Sequence, residues 1–231
     1  MNKFAGTLYR KIMNSRSSNN SLSFKEIFEL SYWKIVKLLS KKKLNENSHY
    51  KYFYTSNFSI PEEYYNDKTI LDIGCGPRGS LEWAEGARER VGLDPLADQY
   101  IKMGAKNHKM TYVKAYVENI PFPDNYFDII CSFNSLDHVD DIQVACNEIK
   151  RTLKKNGLFL LMVDIHTLPT LTEPQTMNWN FVRDYFPEFE ILEENHLERT
   201  KTYRIYTNVR NNKPVTPGAA TGVLTAKLKK L

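Results

Sequence analysis

Long apolar runs are absent from this chain of 231 residues. The longest, Leu158–Val163, has the length of a strand, whereas a helix needs about 20 apolar residues to cross a bilayer. The sequence therefore predicts no membrane span. Residues 1–23 are polar and lack the apolar core of a secretory signal peptide, so we expect no secretion by that route.

Cysteine is also scarce, with only Cys75, Cys131 and Cys146 in the chain. An odd number of scattered cysteines predicts neither a disulfide framework nor a zinc site, and it suits a reducing compartment. We therefore expect a cytoplasmic protein without a metal site.

Acidic residues are missing from the first 25 positions, although the net charge of the whole chain is only +5. Residues 1–60 hold eleven basic and three acidic side chains, residues 61–210 hold seventeen and twenty-four, and residues 211–231 hold four lysines and no acid. A nucleic-acid-binding protein usually concentrates positive charge on its folded binding face. Charge confined to the two ends instead favours solvated termini, so we expect no nucleic-acid partner.

The first part of the chain divides into a polar N-terminus and a helical, aromatic region. We expect residues 1–22 to be flexible and residues 23–66 to form a cap. Apolar residues recur at helical spacing from Ser23 to Lys43, and Ser23 with Glu26 has the pattern of a capping box. Two placements stay open for this helical extension: packing on the main domain, which we favour, or lying on a membrane surface.

Residues 67–210 alternate strand and helix patterns, which predicts an α/β domain with a doubly wound, mostly parallel sheet and helices on both faces. The predicted strands are Thr69–Ile73, Arg90–Leu93, Thr111–Val117, Phe127–Phe133, Leu158–Val163, Phe189–Leu192 and Thr202–Val209, and the predicted helices are Leu81–Arg90, Val139–Leu153 and Trp179–Phe186. We expect residues 211–231 to form a basic tail that is loose or ends in a late helix over Leu224–Leu231.

A glycine-rich turn follows the first predicted strand, in the stretch Ile70–Gly79. Gly74, Gly76 and Gly79 match the pattern G-x-G-x-x-G, and Asp94 follows Gly74 by twenty residues. In an open parallel sheet, a nucleotide-like ligand lies at this turn against backbone N–H groups. An acid at position 94 suits ribose hydroxyls, which both NAD and S-adenosylmethionine carry.

Asp72 and Pro77 favour a cofactor without phosphate groups. The carboxylate of Asp72 is expected to point into the ligand crevice, where it would repel a pyrophosphate by about 1–4 kcal/mol at about 4 Å. Pro77 removes a backbone N–H that a pyrophosphate would use. S-adenosylmethionine, with two positive groups and no phosphate, suits this site.

Four motifs in order resemble the class I S-adenosylmethionine-dependent methyltransferases of the small-molecule type. They are the glycine turn with its flanking acid, Glu118–Asp128, Cys131–Val139 and Glu148–Gly157. The resemblance spans about residues 69–165. It implies a Rossmann-like sheet of seven strands whose last hairpin includes an antiparallel strand, with S-adenosylmethionine as the cofactor. The cofactor-binding residues that it implies are Asp72, Gly74, Cys75, Gly76, Asp94, Pro95, Val117, Glu118 and Asn134.

The chain departs from this family at the adenine site. Family members often carry an aspartate near position 116, where this chain has Tyr116. Either Glu118 or the main chain around Val117 is expected to contact the adenine amine instead.

Histidines that follow the fourth and fifth predicted strands are the candidate catalytic residues. His138 and His166 are placed to accept a proton, and Asp137 and Asp164 to orient or assist them. Each histidine could instead be structural, and Asp137 could instead cap the following helix. Glu173 lies in a polar loop that either reaches the substrate or is solvated.

Three functions stay open from the sequence. We favour an enzyme that moves a methyl group from S-adenosylmethionine to an oxygen or nitrogen atom of a small molecule, such as a sugar or another metabolite. The alternatives are an NAD-dependent oxidoreductase with the same glycine turn and a non-catalytic module that binds a cofactor. The aromatic stretch Tyr50–Tyr54 serves either as a lid over the cofactor or as apolar packing for the N-terminal helices.

Overall fold

The computed structural model describes residues 22–39, 47–170, 173–200 and 204–231. The chain divides into two units, Met1–Lys41 and Lys42–Leu231. Apart from residue 22, the predicted flexible N-terminus lies outside the described residues, as does the basic run Lys41–Lys43 at the end of the predicted helix.

In the first unit, Phe24–Leu39 forms helix α1. The Ser23 backbone N–H donates to the Glu26 carboxylate over 2.6 Å, and the Glu26 N–H donates to Ser23 Oγ over 3.3 Å. These reciprocal bonds satisfy N–H groups that the first helical turn leaves open, and they confirm the predicted capping box. The placement of this helix on the domain or on a membrane stays a prediction. Among the described residues, no helix is both long and apolar enough to cross a bilayer.

In the second unit, seven strands form one sheet within the described residues. They are β1 Thr69–Ile73, β2 Glu89–Leu93, β3 Thr111–Val113, β4 Phe127–Phe133, β5 Leu153–Ile165, β6 Phe189–Leu197 and β7 Gly222–Lys230. The strand order is β3-β2-β1-β4-β5-β7-β6, in which β1 to β5 run parallel and β7 is antiparallel to both neighbours. This topology confirms the predicted doubly wound, mostly parallel sheet of seven strands.

An apolar core lies on each face of the sheet, because side chains alternate along the strands. The helices of this unit are α2 Lys51–Tyr54, α3 Ala97–Met103, α4 Ile142–Thr152, α5 Phe181–Tyr185 and α6 Ile205–Asn211. In β1, Leu71 and Ile73 belong to the core that includes α4 and α5. Ile70 belongs to the opposite core, which includes α6 and an aromatic segment that we define as residues 47–66.

The aromatic segment packs on the sheet. Phe53, Tyr54, Phe58 and Tyr65 are almost completely buried, and the rings of Tyr54 and Phe133 in β4 lie 4.6 Å apart between centroids. Apolar packing is therefore one role of this segment, although the surface that it covers is the sheet. Its predicted alternative role as a cofactor lid stays a prediction.

The C-terminal residues differ most from the sequence prediction. The prediction that residues 211–231 form a loose tail, or end in a late helix over Leu224–Leu231, is wrong, because Gly222–Lys230 forms β7 between β5 and β6. The lysines that suggested a solvated tail have partners inside the domain. Lys227 Nζ donates to the Phe58 carbonyl over 2.6 Å, and Lys230 Nζ donates to two backbone carbonyls over 2.8 and 2.7 Å.

The connection between β1 and β2 also differs from the prediction. Leu81–Arg90 was predicted as a helix, but residues 81–88 form turns and irregular backbone, and Glu89 and Arg90 begin β2. The Arg90 guanidinium donates to two carbonyls of these turns, at 3.4 and 3.1 Å, in place of the N–H groups of a helix. The predicted strand Thr111–Val117 is shorter than expected, because its pairing with β2 ends at Val113.

The last predicted strand, Thr202–Val209, is wrong as well. Residues 201–203 lie outside the described part, and the remainder of this stretch begins α6. Ile205 and Val209 are four residues apart and both buried, which is the spacing of one helix face. The helix ends at Asn211 and is capped by Asn212, whose φ of +47° is a left-handed conformation that asparagine adopts readily.

Candidate functional site

The glycine turn begins directly after β1, beside the point where the strand order reverses between β1 and β4. Gly74 has a φ of +68°, and its N–H donates to the Leu93 carbonyl over 2.8 Å. A Cβ built on Gly74 would lie 2.4 Å from Ser135 Cβ, so this position favours glycine for two reasons. Ser135 Oγ donates to the Ile73 carbonyl over 2.8 Å, which holds the segment after β4 against the turn.

Asp94, the first residue after β2, lies beside the turn and is buried. Its Oδ2 accepts the Gly76 N–H over 3.2 Å, and its Oδ1 accepts the Leu96 N–H over 2.9 Å. One carboxylate thus holds the glycine turn against the end of β2. A carboxylate offers about four lone-pair positions, more than these two bonds occupy, so hydroxyls of a ribose are chemically suitable additional donors.

Asp72 is buried within β1 and is already hydrogen-bonded. Its Oδ2 accepts the hydroxyl of Tyr54 over 2.9 Å and the hydroxyl of Ser80. Burial raises the pKa of this carboxyl to about 7, and the two hydroxyl bonds oppose the rise. The structure therefore differs from the expected bare anion, because the raised pKa makes Asp72 easier to protonate near neutral pH and so weakens its repulsion of a phosphate.

The variant Asp72→Asn is expected to stabilise the fold more at pH 8 than at pH 5. The pKa of Asp72 is about 7 in the folded protein against an ordinary 3.8, so its contribution to stability is fully present below about pH 4 and is lost as pH rises through 7. The asparagine oxygen can still accept both hydroxyl bonds without ionising. The gain in unfolding free energy should grow by on the order of 1–3 kcal/mol between the two pH values, as measured by urea unfolding.

Asp98→Asn is the matched control, because Asp98 is an exposed carboxylate in α3. Its effect on the unfolding free energy should change little between pH 5 and pH 8. A pH-independent effect of Asp72→Asn would contradict the raised pKa of Asp72.

Three other predicted cofactor residues lie at the same edge of the sheet. Cys75 is buried in the glycine turn, and Pro95 is half-buried next to Asp94. Asn134 follows β4 with a φ of +58°, and its N–H donates to the Met162 carbonyl over 2.7 Å. The structure thus places these residues at the carboxyl ends of β1, β2 and β4, where neighbouring parallel strands end together.

The predicted adenine contacts lie after β3. Val117 is buried, and Tyr116 is exposed. Glu118 Oε1 accepts the N–H groups of Asp140 and Asp141 over 2.8 and 3.3 Å, so this oxygen braces the start of α4. A contact from Glu118 to adenine would rely chiefly on its other oxygen, and main-chain contact at Val117 stays the alternative.

Asp137 and His166 come together with Glu173 at the carboxyl edge of the sheet. Asp137 and His166 are buried, Glu173 is half-buried, and one potential ligand atom from each lies within 4.8 Å of the other two. The imidazole Nδ1 of His166 donates to the Leu168 carbonyl over 2.8 Å, and its Nε2 lies 4.0 Å from Glu173 Oε2. Burial raises the pKa of the Asp137 carboxyl, while the neighbouring His138 opposes the rise.

The alternative role of Asp137 as a helix cap is wrong. Asp141 caps α4 instead, because its Oδ1 accepts the N–H groups of Gln143 and Val144 over 3.0 and 3.1 Å. No other described residue donates a hydrogen bond to either carboxylate oxygen of Asp137. The cap signal in the sequence was therefore assigned four residues too early.

His138 and Asp164 flank this cluster. His138 Nε2 lies 3.7 Å from Asp137 Oδ1, and the His138 side chain is 31% exposed. Asp164 Oδ2 lies 3.7 Å from the Arg199 guanidinium. Burial raises the pKa of Asp164 to about 6, and Arg199 opposes the rise. Asp137 is thus positioned to assist His138, whereas Asp164 pairs with an arginine.

Sequence reasoning missed the hydroxyl groups around the glycine turn. Ser80 and Tyr54 donate to Asp72, and the Tyr112 hydroxyl accepts the Gly79 N–H over 3.0 Å. Ser80 directly follows the last glycine of the motif, so its proximity was available as a signal. Tyr54 and Tyr112 come from segments far from the motif in sequence, and only the fold brings them there.

Comparison with known proteins matches residues 71–161 to the family described as a methyltransferase domain. The chain is 30% identical over 142 residues to the uncharacterized methyltransferase YcgJ of Bacillus subtilis, covering 57% of this chain and 47% of that protein. It is 34% identical over 103 residues to the ubiquinone/menaquinone biosynthesis C-methyltransferase UbiE of Shewanella frigidimarina, covering 40% and 41%. The chain therefore spans less than half the length of these curated relatives.

Solved structures of two proteins share the fold. The crystal structure of Bacillus subtilis YcgJ has a TM-score of 0.56 at 15% identity and covers 76% of this chain and 98% of that one. The S-adenosylmethionine-dependent methyltransferase from Mesorhizobium loti gives 0.55 at 16% identity and covers 74% and 94%. The matched domain, the strand order and the glycine turn agree with one another. Residues 71–161 are therefore identified as a methyltransferase domain, on a sheet that shares the fold of these solved structures.

Proposed function

We propose that this chain transfers a methyl group from S-adenosylmethionine to an oxygen or nitrogen atom of a small molecule. The observation that supports this most directly is the hydrogen bond from the Gly76 N–H to the carboxylate of Asp94. This bond places the residue that is predicted to accept the ribose hydroxyls directly beside the glycine turn. This pairing lies at the carboxyl ends of β1 and β2, where ligands of open α/β sheets bind.

The residues around the turn suit the chemistry of this cofactor. Gly74 and Gly76 present backbone without a Cβ, which lets the amino-acid part of a ligand approach closely. The Asp94 carboxylate is an acceptor for ribose hydroxyls, and Val117 and Glu118 are the proposed adenine contacts. When bound, S-adenosylmethionine supplies a methyl group on a sulfonium whose departure as a thioether requires no proton.

The work left to the protein is to align the acceptor atom and to receive its proton. We assign His138 as the candidate base, because its side chain is partly exposed and Asp137 lies 3.7 Å from its Nε2. His166 is the weaker candidate, since it is buried and its Nδ1 is used by the Leu168 carbonyl. A base at this edge suits a hydroxyl or amine acceptor that loses a proton, although one similar protein, UbiE, is a C-methyltransferase by name.

Calorimetric titration of the full chain with S-adenosylmethionine, S-adenosylhomocysteine and NAD tests this proposal. We expect saturable binding of the first two ligands and weaker or no binding of NAD. Asp94→Ala should weaken binding of S-adenosylhomocysteine by about 10- to 100-fold, because charge-assisted hydrogen bonds contribute about 1.5–3 kcal/mol each.

Asp98→Ala is the control, since it removes an exposed carboxylate four residues further along the chain. It should leave the affinity unchanged. Because Asp94 also holds the glycine turn, Asp94→Asn serves as a second variant that keeps one acceptor oxygen and should give an intermediate loss. Tighter binding of NAD than of S-adenosylhomocysteine, or unchanged affinity in Asp94→Ala, would contradict the proposal.

A further inference from the structure

Three side chains from separate segments converge where β4 and β5 end. Asp137 follows β4, His166 directly follows β5, and Glu173 belongs to the loop beyond it. One nitrogen or oxygen atom from each lies within 4.8 Å of the other two. The acid–base roles predicted for Asp137 and His166 do not explain why Glu173 also lies close to both. The sequence analysis predicted no metal site.

The cluster lacks internal hydrogen-bond donors. Asp137 is completely buried, and neither of its carboxylate oxygens accepts a hydrogen bond from another residue in the described ranges. His166 Nε2 is also buried without a hydrogen-bond partner there. An isolated buried carboxylate is costly, by several kcal/mol, unless a cation or a set of donors compensates it. Of the nearby groups that can carry a positive charge, Arg199 contacts Asp164, and His138 Nε2 lies 3.7 Å from Asp137 Oδ1 without a hydrogen bond to it.

The orientation of His166 explains why hydrogen bonding within the cluster does not solve this problem. Since a carbonyl oxygen can only accept, the 2.8 Å contact with Leu168 places a proton on Nδ1 of the imidazole. In the neutral ring, Nε2 then carries a lone pair that faces the two carboxylates. This is the tautomer and the backbone anchoring that metal-bound histidines commonly have.

We propose that Asp137, His166 and Glu173 bind a divalent transition-metal ion. Three ligand atoms bonded at about 2.0–2.2 Å to one ion can all lie at most about 3.8 Å from one another, so the side chains must close in by up to about 1 Å when the ion binds. One imidazole with two carboxylates suits Mn²⁺, Fe²⁺ or Zn²⁺ better than Mg²⁺ or Ca²⁺, which prefer oxygen ligands alone. Three protein ligands leave coordination positions for water or for a substrate oxygen.

This binding site does not depend on the proposed methyl transfer, but it refines that proposal if both hold. An ion at the carboxyl edge of β4 and β5 would lower the pKa of a bound hydroxyl group. The acceptor would then be a small molecule whose oxygen ligates the metal, and the metal rather than an imidazole alone would favour the reactive oxyanion.

Metal titration of the full chain, stripped with EDTA and free of cofactor, tests this inference. Free Mn²⁺ is followed by its electron paramagnetic resonance signal, and Zn²⁺ binding by calorimetry. We expect one ion per chain with a dissociation constant in the micromolar range or below, and much weaker binding of Mg²⁺. Asp137→Asn, His166→Gln and Glu173→Gln should each weaken the binding at least tenfold.

His196→Gln is the matched control. It removes another imidazole that contacts a carboxylate, since His196 Nε2 lies 2.6 Å from Glu194 in β6, and it should leave the metal affinity unchanged. Asp137→Asn separates binding from folding, because a buried amide is less costly than a buried carboxylate. Without metal this variant should melt at or above the temperature of the original chain, and Mn²⁺ should raise the melting temperature of the original chain only.

The metal site would be overturned if the original chain did not bind Mn²⁺ or Zn²⁺ saturably at one ion per chain. It would also be overturned if the three cluster variants bound the metal as tightly as the original chain. Titration of the metal-free chain with S-adenosylhomocysteine distinguishes this failure from failure of the proposed function. Cofactor binding without metal binding would refute only the metal site, and metal binding without cofactor binding would refute only the methyl transfer.

Discussion

A chain truncated after Ala220 is expected to lose its cooperative fold, although only the last eleven residues are removed. These residues include β7, which pairs with β5 on one side and β6 on the other. Val223, Leu224 and Leu228 are fully buried, and burying such side chains contributes about 1.5–3 kcal/mol each. Loss of two strand ladders and this packing is comparable with the whole stability of a domain, about 5–15 kcal/mol. Far-UV circular dichroism and urea unfolding measure the effect.

Removal of Leu231 alone is the control, because this residue is 63% exposed and follows the end of β7. It should leave the unfolding free energy within about 0.5 kcal/mol. If the longer truncation yields no soluble protein, Ala226→Asp in the full chain tests the same strand, since it places a charge at a fully buried position. Cooperative unfolding of the truncated chain at the original urea midpoint would contradict the role of β7.

The parallel half of the sheet could be predicted from the sequence because its strands are short apolar runs bounded by turn residues. The predicted limits of Thr69–Ile73 and Phe127–Phe133 match β1 and β4. Both strands are largely buried on both faces, so most positions are apolar and the run itself marks the strand. The order of the four motifs along the chain resembles that of a known family, and this resemblance implied that the glycine turn follows the first strand of the sheet.

The C-terminal third could not be predicted in the same way, because long-range contacts decide its structure. Lys227 and Lys230 give β7 a basic composition, yet both ammonium groups donate to carbonyls of distant segments. In α6, Ile205 and Val209 have β-branched side chains that favour a strand locally, but burial of both at a spacing of four selects a helix. Tertiary packing therefore overrides local propensity in both elements.

In the candidate site, too, local patterns could be predicted from the sequence and long-range contacts could not. Gly74, Gly76 and Asp94 could be identified because their spacing within one strand–turn–strand unit carries the signal. The raised pKa of Asp72 could not be predicted from the sequence, because it depends on burial and on hydroxyl groups from two other segments. Asp137 and His166 were identified singly as catalytic candidates. Their convergence with Glu173 depends on the path of the loop after β5, which no local pattern specifies.

The variant Gly74→Ala is expected to destabilise the fold and to abolish measurable cofactor binding. The added Cβ would lie 2.4 Å from Ser135 Cβ, so the segment after β4 must move away from the glycine turn. The φ of +68° adds backbone strain of about 1–2 kcal/mol for any residue with a Cβ. With overpacking of about 1–3 kcal/mol, the unfolding free energy should fall by roughly 2–5 kcal/mol in urea titrations.

Gly218→Ala separates the two causes of this destabilisation. Gly218 has a φ of +80°, but a Cβ there would meet no atom within 4 Å, so this variant carries only the backbone strain. It should cost about 1–2 kcal/mol and leave the affinity for S-adenosylhomocysteine unchanged. Ser135→Gly combined with Gly74→Ala removes the colliding Cβ, and the double variant should lose less stability than the sum of the single ones. Equal destabilisation by Gly74→Ala and Gly218→Ala, with strictly additive effects in the double variant, would show that the close approach of Ser135 does not shape the turn.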